Sequence, residues 1–285
     1  MVKTIINNKE QTMKDFFEAY QLAKAKTSKL LKSKSVLING QIVIDEETKL
    51  YPQDEVLINF ETIIEKVELL WPQNVEIVYE DEDILLVNKP SEMLIHSDGN
   101  KNNNLTAAVN FYLHRKGNLL PAYCIHRLDF ETSGLVLFAK NPLALSFLSY
   151  QMENKQITKK YIAVVEGVFH PLEGTIEFNI GRNRHISNCY RVSPNGKEAI
   201  TKYQTLEKSK QKSLVRAEII TGRTHQIRVH FSYLHHPIIG DKLYGNTQGK
   251  LMLFSQALHF IHPQTRKMFD FELEIPKDFW VVKNG

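Results

Sequence analysis

Between Cys124 and Gly134 the chain reads Cys-Ile-His-Arg-Leu-Asp-Phe-Glu-Thr-Ser-Gly, and the apolar run from Leu135 to Ala139 follows directly. That run can only be a buried strand, so Asp129, Arg127 and His126 sit in a short loop at its mouth. Holding a charged group there is costly, and such a group usually has a task. A carboxylate in this position could serve as a nucleophile or a general base. The simpler alternative is that Asp129 caps a turn and pairs with Arg127 at the surface. Matching cations and rings further along the chain weigh against it.

Those partners fall in four segments. Lys159-Lys160-Tyr161 places a ring at the start of a strand, and Thr221-Gly-Arg-Thr-His-Gln-Ile-Arg-Val-His230 enters a helix. His236-Pro-Ile-Ile-Gly-Asp241 comes next, and Leu253 and His262-Pro263 lie near the end. Arg228 is four residues after Thr224, on the face of the helix entrance. Its guanidinium could fork onto Asp129 and keep that carboxylate ionised. Taken singly, Arg228 could be a structural salt bridge and Tyr161 a core ring with a satisfied hydroxyl.

Several other chemistries are excluded. His225 and His230 would lie about 140° apart on a helix, so they do not share one metal ion. The i, i+4 histidine spacing of hydrolytic zinc helices is absent, as are a kinase-type metal triplet, a phosphate loop and a dinucleotide fingerprint. Cys124 and Cys189 stand far apart, which indicates neither a disulfide framework nor a CxxC metal site. No metal and no cofactor is expected.

The 285 residues allow one large domain and a small one. No apolar run is long enough to span a bilayer and no signal-peptide core follows Met1, so a cytosolic, monomeric protein without membrane association is expected. The net charge of +4 matters only if it is clustered. It is: Lys24, Lys26, Lys29, Lys32 and Lys34 occur with no acid among them. Such segregation favours a phosphate-contacting face over a merely solvated one.

The elements around these residues divide at about residue 60. Phe16, Phe17, Tyr20 and Ala23 recur at helical spacing, and Thr27 can cap a second helix carrying Leu30 and Leu31. Asn39-Gly40 between two β-branched runs predicts a type I′ hairpin, and residues 55–60 a closing strand. Residues 61–74 read as a linker. A hairpin over 75–87, a polar loop at 98–104 that should be mobile, and a helix opened by Asn141-Pro142 follow. Strands near 161–165, 199–206 and 214–220 come in succession, which predicts an α+β sheet over 75–285 instead of alternating βαβ units.

Residues 1–60 resemble the S4 RNA-binding module: two helices, the second basic, on a short sheet with an Asn-Gly turn. The segments His126–Gly134, Lys160–Tyr161, Gly222–His230 and His236–Asp241 resemble the signature motifs of RNA pseudouridine synthases of the RluA/RluD type. That resemblance implies a mixed, largely antiparallel sheet flanked by helices, and isomerisation of uridine to pseudouridine in structured RNA. It implies Asp129 as the essential residue, Arg228 as its partner and Tyr161 as the ring that packs on the target base. Arg127 would occupy the gap left by the flipped nucleotide, with His126, Lys160, Arg223 and Leu253 on the substrate side. His225 and Gln226 would support the helix entrance. The implied partner is RNA, with large-subunit ribosomal RNA ahead of a transfer RNA site.

The chain departs from the family pattern at Ser91-Glu92, where a small residue and Gly are common, at Ser97 in place of Pro, and at Phe254-Ser255 in place of His-Ala. Two rival functions remain at this level. An N-glycosidase would leave an abasic site where an isomerase leaves RNA mass unchanged. A non-catalytic RNA-binding protein could keep the fold.

Overall fold

The computed structural model describes residues 2–64, 75–97, 99, 104–245 and 249–282. Most of the 61–74 linker and of the 98–104 loop lies outside these residues.

The N-terminal unit contains β1 (Val2–Ile6), β2 (Gln11–Thr12), α1 (Met13–Ala19), α2 (Lys24–Lys32), β3 (Val36–Ile38), β4 (Gln41–Ile42), β5 (Lys49–Leu50) and β6 (Glu55–Asn59). Strands β1, β6, β3 and β4 form an antiparallel sheet in that order. Asn39 and Gly40 both have positive φ, 49° and 80°, as the type I′ turn requires. Met13, Phe16, Phe17, Leu30 and Leu31 pack on Val56 and Ile58. Helix α1 starts at a capping box in which Thr12 and Asp15 satisfy each other's backbone N–H. Helix α2 starts at Lys24, not at Thr27, which is buried within it. Thr27 packs against the core and caps nothing. Lys24, Lys29, Lys32 and Lys34 are exposed and Lys26 is half-buried, so the basic residues do form an outer face.

The larger unit has a sheet in the order β12, β15, β16, β11, β17, β10, β8, β7. In chain order its strands are β7 (Glu76–Glu80), β8 (Ile84–Lys89), β9 (Tyr123–Cys124), β10 (Ser133–Ala139), β11 (Thr158–Glu166) and β12 (Glu173–Ile176). There follow β13 (Ile180–Arg182), β14 (Tyr190–Val192), β15 (Thr201–Lys208), β16 (Lys212–Ile219), β17 (Leu253–Ile261) and β18 (Met268–Glu272). Helices α3 (Leu105–Arg115), α4 (Pro142–Glu153) and α5 (Gln226–Tyr233) flank the sheet. Asn141 caps α4 ahead of Pro142, and Asn104 caps α3.

Every pairing in the main sheet is antiparallel except β10 with β17, which meet in parallel over Ser133–Phe254 and Gly134–Ser255. Gly134, at φ 113°, is required there: a Cβ would stand 2.3 Å from the Ser255 carbonyl oxygen. The mixed α+β sheet expected from the sequence is present.

The two units are joined by specific contacts. Lys3 Nζ lies 2.8 Å from Asp83 Oδ1, and Tyr20 donates to Gln264 Oε1 at 2.6 Å. The Arg266 guanidinium sits over the Tyr20 and Phe147 rings and donates to the Ala19 carbonyl. Asp81, Asp83 and His262 converge closely enough to suggest a cation site. Their oxygens and nitrogens are already engaged: Asp83 by Lys3 and Asn141, and Asp81 by His262 and the backbone N–H groups of Asp83 and Ile84. This cluster is the joint between the units.

Candidate active site

The loop between β9 and β10 carries Asp129 into a cleft of about 790 Å³. Its shape is fixed from behind by Lys89, which is wholly buried and donates to the carbonyls of Pro90, Met93 and Phe130. Ser91 donates to the Glu131 carbonyl at 2.7 Å, and Thr132 N–H to the Asp129 carbonyl. Ser91, one of the departures from the family pattern, thus anchors the loop. Glu92 beside it takes φ 61°, the left-handed conformation that glycine adopts without strain.

Asp129 is 26 % exposed, whereas Arg228 on α5 is 2 % exposed. The expected fork from Arg228 onto Asp129 does not form. Nε and Nη2 of Arg228 both donate to Asp241, at 2.8 Å each, and Nη2 also reaches Glu131 at 3.4 Å. Nη1 alone faces Asp129, at 3.6 Å from Oδ2. The reason is burial. Asp241 is fully buried and must find a cation, whereas Asp129 retains solvent. Burial works against the charge on Arg228, but the hydrogen bonds and the charge of Asp241 outweigh it and raise its pKa. Gly240 permits the turn that delivers Asp241: at φ 76°, its Cβ would stand 2.0 Å from the Lys250 carbonyl oxygen.

A second group faces Asp129. His225 Nε2 is 3.9 Å from Oδ2. Tyr190 N–H donates to the Tyr244 hydroxyl oxygen at 2.9 Å, and that hydroxyl is 2.8 Å from His225 Nδ1. A carboxylate offers only acceptors, so the neutral imidazole that faces it turns an Nε2 proton toward Asp129 and takes the Tyr244 hydroxyl proton on Nδ1. Burial, the largest influence, holds the His225 pKa below its ordinary value. His225, at the helix entrance, therefore also faces Asp129. Gln226 does hold that entrance, accepting from Thr221 and the Arg223 N–H and donating to the Ile200 carbonyl and Thr201.

Tyr161 on β11 lines the cleft, with its hydroxyl bonded to Ser255, another departure from the family pattern. Burial raises the Tyr161 pKa, so the phenol stays neutral. Arg127, exposed, and Leu253 line the same cleft, as does Arg223, whose Nε donates to the Glu198 carbonyl at 2.7 Å.

One expectation needs correction. Lys160 does not line the cleft; Lys159 does, because alternate residues of β11 face alternate sides and Lys159 shares the side of Tyr161. His126 lines the cleft, as expected, but is buried. Its Nε2 accepts from the Leu137 N–H at 3.2 Å, and burial, then the Lys159 charge, lowers its pKa to about 3. Glu131, Asp241, His225 and Tyr244 were not singled out as site residues from sequence. For Glu131, His225 and Asp241 a signal existed, since all three lie inside motif segments.

Chemically, the site offers a partly solvated carboxylate, a fixed guanidinium edge, a neutral N–H donor and a phenol ring in one cleft. Such a set can attack or deprotonate a sugar carbon without a metal.

Comparison with known proteins identifies the family. A family model described as RNA pseudouridylate synthase matches residues 83–233. "Uncharacterized RNA pseudouridine synthase YlyB" of Bacillus subtilis is 39% identical over 215 residues, 72% of this chain and 70% of that protein. "Ribosomal large subunit pseudouridine synthase D" of Vibrio cholerae is 31% identical over 287 residues, 94% of this chain and 88% of that protein. The solved structure of "Human RNA Pseudouridylate Synthase Domain Containing 1" superposes with a TM-score of 0.61 at 28% identity, over 72% of this chain and 86% of that one. The chain belongs to the RNA pseudouridylate synthase family and is an RNA pseudouridine synthase, an isomerase.

Proposed function

We propose that this enzyme converts specific uridines of large-subunit ribosomal RNA to pseudouridine, with Asp129 as the group that acts on the ribose. The observation that carries this reading is the Asp129 carboxylate in the cleft, 3.6 Å from a guanidinium whose other edge is locked to Asp241. The ribosomal target is supported by the relatives named for the large subunit, one of which aligns over nearly the whole chain.

The target base must leave its stack, at a cost of a few kcal/mol. Stacking on Tyr161 and filling of the vacated space by Arg127 would offset that cost. Asp129 then attacks C1′ or removes the C2′ proton, the N1–C1′ bond breaks with its electron pair leaving on the base, and the base turns; C5 bonds to C1′ as the Asp129–C1′ ester bond is released or, on the second route, as the proton returns to C2′. The proton on C5 is lost and N1 gains one, so composition is unchanged and no cofactor is consumed. Arg228 and the His225 N–H face the carboxylate and hold its aim.

Residues 1–60 act as an S4-like RNA-binding module. The exposed Lys24, Lys29, Lys32 and Lys34, with Lys26, contact phosphates, and the Lys3–Asp83 and Tyr20–Gln264 contacts hold the module against the catalytic unit. The test is to map pseudouridines in total RNA from cells lacking this protein. Loss of one or more large-subunit sites is expected; an unchanged ribosomal map with a lost transfer RNA site overturns the target.

A further inference from the structure

The carboxylates of the cleft have a cation, Arg228, but one of its cations has no anion. Lys159 is 6 % exposed and lines the cleft. Among the described residues its ammonium has a single hydrogen-bonding neighbour, the Met152 thioether at 3.6 Å, and no carboxylate within ion-pair distance. A thioether is a weak acceptor for a group with three donors. Burial lowers the Lys159 pKa only to about 8, so the amine is still charged at neutral pH.

His126 lines the same cleft and is also unsatisfied. Its Nε2 accepts from a backbone N–H, which is always a donor, so the neutral ring carries its proton on Nδ1. That Nδ1 is buried with no partner. Lys159 and His126, near enough for the Lys159 charge to act on the ring, thus bring two donors to one region whose acceptor among the described residues is the Met152 thioether. A buried ammonium with no counter-charge is disfavoured unless something supplies one.

We propose that Lys159, with the His126 N–H behind it, forms a subsite for a phosphate of the bound RNA. Phosphate is the anionic group that RNA offers, and lysine binds it as a point charge. Arg127, exposed in the same cleft, adds positive charge to the approach. The inference rests on the reading that this cleft takes RNA, and it adds the path of the backbone through it.

The test uses the full-length enzyme and a short RNA hairpin with uridines in its loop, titrated over a series of salt concentrations. Lys159→Met replaces an unpaired charge by a side chain that suits the Met152 contact, so its Tm should equal or exceed that of the wild type. Its Kd should rise about tenfold at low salt. The slope of log Kd against log salt should fall by about 0.7, one phosphate contact to a single strand. In parallel, single methylphosphonate substitutions along the hairpin should weaken the wild-type enzyme at one position where Lys159→Met is already weak and loses no more. An unchanged slope, or no position at which the two losses coincide, overturns the subsite. A wild-type enzyme that binds no RNA overturns the underlying reading instead.

Discussion

Arg228 gives both arms of its fork to Asp241, at 2.8 Å each, and shows Asp129 only the remaining nitrogen, at 3.6 Å. The buried pair fixes the guanidinium edge that faces Asp129. Asp241→Asn keeps the shape but removes the counter-charge, leaving a buried guanidinium to swing toward Asp129 and Glu131. Stability should fall by about 3 kcal/mol in urea denaturation, as for other broken buried pairs. In the same variant kcat should drop at least about a hundredfold, the scale of a mispositioned catalytic group.

The Tyr190–Tyr244–His225 chain sets which nitrogen faces Asp129. Tyr244→Phe removes the proton given to Nδ1 and frees the imidazole tautomer. Turnover at saturating RNA should fall several-fold with KM little changed. Its acid limb should also move relative to the wild type, because the His225 pKa responds to the lost partner. An unaltered pH profile would argue that the chain is only structural.

Glu92 occupies a left-handed backbone position with an exposed side chain. Glu92→Gly should stabilise the protein by about 1 kcal/mol, seen as a raised Tm with catalysis intact.

Gly134 presents the opposite case. Gly134→Ala drives a methyl group into the Ser255 backbone at the one parallel contact of the main sheet. A loss of more than about 3 kcal/mol is expected in chemical denaturation, with Tyr161 displaced through Ser255.

Much of this was legible in the chain, for local reasons. Asn39-Gly40 needs positive φ and Asn141-Pro142 needs a helix start, and both requirements are satisfied within a few residues. Strand β1 was not foreseen, because Lys3 stands on its buried side and masks the alternation until Asp83 is seen to pair with it. Helix α3 was missed because it is buried on most sides, with Leu105, Ala107, Ala108, Val109 and Leu113 blurring any polar face. The cleft's ingredients were visible as motifs. Which carboxylate captures Arg228 was not, since that depends on the relative burial of Asp129 and Asp241, which only the tertiary fold determines. The choice of Lys159 over Lys160 could have been made from strand alternation with Tyr161.

Acid should loosen the β7–β8 corner of the larger unit. Burial opposes ionisation of Glu80 and Asp81, but hydrogen bonds from Lys116 and Lys140, and from His262 and the backbone N–H groups of Ile84 and Asp83, prevail and hold both at about 2. Carboxyls depressed in the folded state stabilise it above their unfolded values of about 4 and lose that contribution as the pH falls toward 2. Denaturation midpoints measured from pH 5 down to pH 2 should decline over this window, and less steeply in Glu80→Gln.

The most direct measurement is tritium release from RNA carrying uridine labelled at C5, since that hydrogen is lost when C5 bonds to C1′. Wild-type enzyme should release the label, while Asp129→Asn should release none and still bind the same RNA. Release by Asp129→Asn at even about a tenth of the wild-type rate, a barrier change of only about 1.4 kcal/mol, would contradict the assignment of Asp129 as the reacting group.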